Sequence, residues 1–346
     1  MKIIIETMHG LGDMVCTLPM ICFVRNNYPD AEITVITKFA SGKEILLASH
    51  IRIDKIVVLN VYKNLLESTK ILLGLREQKF DVGISCALTP VHKAKWFMKI
   101  VRPHKWYALQ KLGKSFDLLH DRYHFVEANF LAIQELCGRI PQEKYPKLYV
   151  NENDIKSIKA RFHIAENKGK TIGVCIGKGD YSLKNRMFRT GKVYTRGWGT
   201  ANMIELVKQL LATNYRVFLI GGIAEISIAT QIIDKIGENN NTINFVGETT
   251  IRESMAVASL CDCVVGVDTG MQHIAAAVGT ATVSIFGPTN PQTHGAYSKR
   301  SYFVTATEKC KLQYCYGSKW YIQCTNRICL NKITVENVLD QVKKVL

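Results

Sequence analysis

The sequence predicts an α/β protein made of two doubly wound parallel sheets in series, on three observations. Short β-branched runs alternate with stretches of helical apolar spacing. The alternation stops once, at a polar, proline-bearing segment, and then restarts. Glycines follow several of the predicted strands. A chain of 346 residues exceeds one ordinary core and suits two domains, read here as 1–150 and 151–346.

Lys2–Glu6 reads as the first strand, followed by a glycine-containing loop and an amphipathic helical stretch over Met14–Asn27. Glu32–Thr37, Lys55–Leu59 and Asp81–Ser85 are the next strands, and Asn64–Lys79 carries leucines at helical spacing between the last two. Strand, helix and strand at this rhythm mean a parallel sheet with helices on both faces. Arg139–Pro146 is the polar linker. Beyond it Thr171–Ile176 is a strand and Thr200–Thr213 a helix. Arg216–Ile220 is a strand that runs into Gly221, Gly222 and another helix, while Cys263–Val267 and Ala281–Ile285 flank a short helix. Open sheets of this kind bind ligands outside the carboxyl ends of their strands, and between two such domains the cleft is the natural place.

Composition narrows the class. The chain is 47% hydrophobic, 21% charged and 9% aromatic, which excludes a disordered tail or a fibrous repeat. Its 45 Lys and Arg against 29 Asp and Glu leave a net charge of +16, which favours an anionic partner: nucleotide, phosphorylated sugar, acidic membrane surface or nucleic acid. Glu6 interrupts the N-terminal apolar run too early for a signal peptide, and no window nears the roughly 18 apolar residues of a membrane span. The expected compartment is the cytoplasm, with thiols reduced; the odd count of 11 cysteines also argues against a fully paired disulfide framework.

Two glycine-bearing segments carry chemistry. His9-Gly10-Leu11-Gly12-Asp13 lies between the first strand and a helix, where Gly10 and Gly12 let backbone N–H groups approach an anion. A dinucleotide fingerprint needs a third glycine where Val15 stands, and no acid ends the second strand, so the loop does not read as an NAD site. Asp13 suits either an N-cap or a catalytic carboxylate. Further on, Asp268-Thr269-Gly270-Met271-Gln272-His273 precedes an alanine-rich helix whose first turn suits a diphosphate; a capped helix with a satisfied His273 is the plainer alternative. Phe286-Gly287-Pro288-Thr289-Asn290-Pro291 is a rigid turn after the next strand.

Three clusters remain. Tyr181–Asn202 holds Lys184, Arg186, Arg189, Lys192 and Arg196 with no acid. Val91–Ser115 holds Lys93, Lys95, Lys99, Arg102, Lys105, Lys111 and Lys114, again without an acid and interleaved with Trp96, Phe97, Trp106 and Tyr107. Either is a solvated surface or an anion-binding face; no recognisable RNA-binding motif accompanies them, and nucleic acid is not the expected partner. Cys310, Cys315, Cys324 and Cys329 are spaced C-x4-C-x8-C-x4-C, which suits structural zinc or iron or four thiols packed by Tyr314, Trp320 and Tyr321. Cys16, Cys22, Cys86, Cys137, Cys175, Cys261 and Cys263 read as ordinary core thiols.

Gly-Leu-Gly-Asp after the first strand, Asp-Thr-Gly-x-x-His before an alanine-rich helix and Phe-Gly-Pro-Thr-x-Pro, in this order over nearly the whole chain, resemble glycosyltransferase family 9. Its best-known members are the ADP-heptose:lipopolysaccharide heptosyltransferases. The resemblance implies the GT-B fold: two Rossmann-like domains facing a central cleft, acceptor on the first and nucleotide sugar on the second, with the last helix packing back on the first domain. It implies inverting transfer in one displacement, with Asp13 at the position of the proposed base. Asp268, Thr269, Gly270 and His273 match the donor motif. Arg196 stands where the family usually has a lysine before a tryptophan, with Lys192 as the second candidate for the diphosphate. Gly221, Gly222 and Glu225 match the nucleoside loop, where Glu225 serves a ribose hydroxyl or is a solvated acid. Some relatives that modify proteins hold iron through four cysteines, which keeps the metal expectation open here. The expected function is heptose transfer from ADP-heptose to an anionic surface glycan, with lipopolysaccharide core as the acceptor and peripheral contact with the inner membrane. The alternatives are another nucleotide sugar, a protein acceptor, or a non-catalytic sugar-nucleotide or glycan binder. No cofactor is expected in the chemistry.

Overall fold

A computed structural model of the chain describes residues 1–7, 10–60, 65–109, 123–166, 169–177, 196–237, 239–308, 310–316, 318, 320–321, 324 and 326–346. It divides into two compact units, Met1–Tyr149 and Val150–Leu346.

The first unit holds a parallel sheet of β1 (Lys2–Thr7), β2 (Glu32–Thr37), β3 (Lys55–Val58), β4 (Val82–Ser85) and β5 (Lys105–Tyr107), in the order β3-β2-β1-β4-β5. Ile3, Ile4 and Ile5 are all fully buried, so β1 is covered on both faces and reads as an unbroken apolar run. Its helices are α1 (Leu11–Asn27), α2 (Ala40–Ala48), α3 (Leu65–Glu77), α4 (Val91–Val101) and α5 (Phe125–Cys137). Helices α3 and α4 cover one face through Leu72, Leu75, Phe97, Met98 and Val101, packed against Ile4 and Ile36. Some details depart from the sequence reading. Helix α1 begins at Leu11, ahead of Met14, because Gly10 caps it in extended conformation; and it buries residues on most of its circumference rather than one stripe. Asp81 lies outside β4 because its carboxylate accepts the Lys2 backbone N–H at 2.7 Å, fixing where the two strands start.

The second unit holds six parallel strands: β6 (Thr171–Cys175), β7 (Arg216–Ile220), β8 (Thr242–Asn244), β9 (Cys263–Val267), β10 (Ala281–Ile285) and β11 (Ser301–Val304), in the order β11-β10-β9-β6-β7-β8. The helices are α6 (Glu152–Arg161), α7 (Thr200–Ala212), α8 (Ile226–Ile236), α9 (Ile251–Ser259), α10 (Gly270–Ala277), the short α11 (Pro291–His294) and α12 (Ile328–Asn331), and the last, α13 (Val335–Val345). The last helix packs on the second sheet. Val335, Val338, Leu339 and Val342 of α13 join the core cluster that contains Val174, Val265 and Val283 of the second sheet. Its apolar residues recur every three or four positions, the spacing that puts them on one stripe.

Each sheet has one point where the order of strand addition reverses, between β1 and β4 in the first and between β6 and β9 in the second. The ends of adjacent strands diverge there, leaving a crevice that the connecting loops line. Gly10–Asp13 follows β1, and Asp268–Thr269 follows β9.

Candidate active site

At the second switch point Asp268 is 7% exposed and anchors a small polar network. Its Oδ2 accepts from the Thr289 hydroxyl at 2.9 Å and from Arg196 Nη1 at 3.2 Å. Thr289 stands on the turn after β10, so a buried charge is paired and hydrogen-bonded by two separate segments, as burial requires.

Thr269 is the N-cap of α10, yet its side chain makes no cap hydrogen bond, and its Oγ1 is buried with no partner among the described residues. An N-cap threonine ordinarily satisfies a first-turn N–H. Here the hydroxyl is left over at a helix N-terminus, the end of a helix that favours an anion. Gln272 Nε2 is also buried and unpartnered, while its Oε1 accepts from Ser284 at 3.2 Å. The floor beneath is tight: a Cβ on Gly266 would lie 2.6 Å from the Cys175 carbonyl oxygen and 3.2 Å from Gln272 Nε2, so only glycine fits.

His273 is buried one turn into the helix. Burial pulls its pKa below the usual histidine range; Asp268 opposes that and Arg196 reinforces it. The imidazole is therefore a neutral hydrogen-bonding group at neutral pH rather than a cation for phosphate. The positive charge comes from Arg196, whose guanidinium carbon also lies 5.1 Å from the centroid of the Tyr316 ring. Lys192, and with it Lys184, Arg186 and Arg189, lies outside the described residues.

After β7, Gly222 caps a 3-10 turn, Ile223–Glu225, that precedes α8. Glu225 is 3% exposed and accepts the Gly222 N–H at 3.0 Å, so the solvated-acid alternative is corrected: this carboxylate is a buried brace of the loop. A Cβ on Gly221 would sit 3.2 Å from the Glu225 Cβ, which holds the loop close to that brace.

At the first switch point the N-cap of α1 is Gly10, not Asp13. Asp13 is three residues in and its Oδ2 accepts the Gly10 N–H at 3.2 Å, one half of a capping box. Gly12 is inside the first turn of the helix rather than in the loop. A second carboxylate, Glu6, is fully buried at the end of β1 and accepts from the Thr89 hydroxyl at 2.7 Å. The Cys86 thiol is pushed well up by burial, then by Glu6, with Asp13 adding to it and Thr17 opposing. Two acids therefore gather at this strand end. Nearby, α4 buries Ala94, Phe97, Met98 and Val101 and turns Lys93, Lys95, Trp96 and Lys99 outward; Lys111 and Lys114 lie outside the described residues.

Sequence reasoning missed three residues: Glu6, Thr289 and Tyr316. Glu6 had a legible signal, an acid closing an apolar strand. Thr289 lay in a motif read only as a turn, and nothing local marks Tyr316. Cys310, Cys315, Cys324 and Cys329 are electrostatic neighbours, since burial and then the other three thiols push Cys329 up to about 12. Among the described residues, however, no group of three or more His, Cys, Asp or Glu is arranged to hold a metal ion, and no step below runs through one.

The profile described as "Glycosyltransferase family 9 (heptosyltransferase)" matches residues 110–319. The chain is 23% identical over 313 residues to lipopolysaccharide heptosyltransferase 2 of Salmonella typhimurium, covering 84% of each. Among solved structures it is similar to a family 9 glycosyl transferase from Veillonella parvula, with a TM-score of 0.80 and 16% identity over 99% of this chain and 96% of that one. It is also similar to the E. coli ADP-heptose lps heptosyltransferase II, with a TM-score of 0.73 and 20% identity over 100% of this chain and 98% of that one. The two parallel-sheet units are the Rossmann-like halves of the GT-B fold that these structures share.

Proposed function

The chain belongs to glycosyltransferase family 9, and on that premise we propose that it transfers a heptose from ADP-heptose to an anionic surface glycan in one inverting displacement. The observation that carries the reading is the orphaned Thr269 hydroxyl at the head of α10, beside Arg196 and Asp268. A diphosphate supplies the acceptor oxygen that this hydroxyl lacks among the described residues, at a helix start whose dipole favours negative charge. Similarity to the Salmonella lipopolysaccharide heptosyltransferase 2 and the E. coli ADP-heptose lps heptosyltransferase II supports the lipopolysaccharide acceptor and the ADP-heptose donor.

In the proposed reaction Arg196, Thr269 and the first turn of α10 stabilise the charge that gathers on the departing diphosphate. Asp268 holds Arg196 and accepts hydrogen bonds from the sugar. Asp13 takes the proton of the acceptor hydroxyl as that oxygen attacks the anomeric carbon from the face opposite the leaving group. One carbon–oxygen bond forms, the bond to the β-phosphate oxygen breaks, ADP leaves, and the anomeric configuration inverts. The cationic, tryptophan-bearing outer face of α4 supports an anionic acceptor and a peripheral position on the inner face of the membrane. No helix among the described residues is long and apolar enough to cross a membrane.

Transfer from ADP-heptose to a phosphorylated core glycan, followed by mass spectrometry and anomeric NMR, tests this. A product of inverted configuration supports the reading. Turnover only with a UDP- or GDP-linked hexose replaces the donor, a protein acceptor replaces the glycan, and no turnover with any donor favours a binding protein.

A further inference from the structure

We propose that Tyr316 is a positioning residue for Arg196, and that the cysteine-bearing loop exists in part to bring it there. The inference rests on the proposed donor site and goes beyond it. No motif includes Tyr316, and it lies far from Arg196 in the chain.

The contacts close a ring. Arg196 Nη1 meets Asp268 Oδ2 at 3.2 Å, and Asp268 Oδ2 accepts from Thr289 at 2.9 Å. Pro288, the residue before Thr289, accepts the Tyr316 backbone N–H at 3.0 Å. The Tyr316 ring then returns to Arg196 at 5.1 Å. The carboxylate holds one guanidinium nitrogen and the ring covers the guanidinium face, leaving few rotamers to a side chain that has many.

The ring is itself held, edge-on to His294 at 5.8 Å and to Tyr321 at 5.1 Å. The backbone beyond Arg196 is tied to the same region of the chain: Arg327 Nη1 donates to the Gly197 carbonyl at 2.7 Å, and the buried Trp198 indole donates to Ile333 at 2.9 Å. Residues 196–198, just ahead of α7, are thus tied to the far end of the chain. Without the ring the guanidinium plane is less constrained and meets a diphosphate less well.

The experiment is a double-mutant cycle over Arg196→Ala and Tyr316→Ala, with Tyr316→Phe and Tyr316→Trp as conservative variants. Each variant is read by calorimetric binding of ADP, UDP and GDP and by thermal melting of the ligand-free protein. Tyr316→Ala is expected to weaken the bound nucleotide by roughly threefold to tenfold in the wild-type background and to add nothing once Arg196 is alanine. Phe and Trp retain affinity, because the ring face is the contact. Equal losses in both backgrounds, or a Phe variant as weak as Ala, would overturn the proposal. If the wild type binds no nucleotide, the donor reading fails; the melting cycle still decides the pair, since additive melting shifts also sink the Tyr316 proposal.

Discussion

Replacing Thr289 by valine removes one hydroxyl and little else. Thr289 is 1% exposed and its Oγ1 is 2.9 Å from a carboxylate that is itself 7% exposed. Valine keeps the branched shape, so no cavity opens, and the loss is that of a hydrogen bond to a buried charge, about 1.5–3 kcal/mol. Asp268 retains Arg196 at 3.2 Å, which places the expected cost in the lower half of that range. For a unit the size of Val150–Leu346 each kcal/mol moves the midpoint by roughly 2–4 °C, so T289V is expected to melt about 3–9 °C below the wild type. Differential scanning calorimetry reads this directly, and T289S, which restores the hydroxyl, should recover most of it. A T289V midpoint indistinguishable from the wild type would show that Asp268 does not depend on this turn, and the network drawn around it would be wrong.

Asp13→Asn keeps a group that can accept the Gly10 N–H but cannot take a proton, so it should abolish transfer while calorimetric donor binding and melting stay near wild type; lost donor binding would remove Asp13 from the base role. The His273 pKa is lowered on folding, so the unfolded chain takes the proton first: stability present above about pH 6.5 is lost as pH falls through the lower folded value. Urea titrations of H273Q should therefore show a flatter fall in stability below pH 6.5 than the wild type, and parallel curves would contradict the neutral imidazole. Reversing two outward charges of α4, Lys95→Glu with Lys99→Glu, should weaken binding of a phosphorylated glycan and reduce its salt dependence, with melting unchanged. An unaltered salt slope would take α4 out of acceptor binding.

The fold was legible where periodicity carries it. β-Branched runs at Lys2–Glu6, Glu32–Thr37 and Cys263–Val267 are strands because burial on both faces demands unbroken apolar sequence. Ends were less legible: whether α1 starts at Leu11 or Met14 depends on the backbone angle of Gly10, which no side-chain pattern reports. At the site the sequence names Asp268, Thr269 and Arg196, because acids, hydroxyls and cations beside glycine are locally conspicuous. It does not say that Thr289 and Tyr316 complete them. Those contacts span long separations in the chain and follow from which strand ends the sheet order brings together. The last helix is a similar case: its apolar stripe tells that it is packed, and only the structure shows that it joins the core of the second sheet.

The central claim is that Arg196, Thr269 and the head of α10 hold the diphosphate of a nucleotide sugar. Calorimetry of ADP, UDP and GDP under identical conditions, on the wild type and on Arg196→Ala, tests it most directly. ADP is expected to bind selectively, and Arg196→Ala to weaken it by at least tenfold, the order expected when one charge-assisted contact to a phosphate is lost. Binding of none of the three, or ADP binding that Arg196→Ala leaves unchanged, would contradict it.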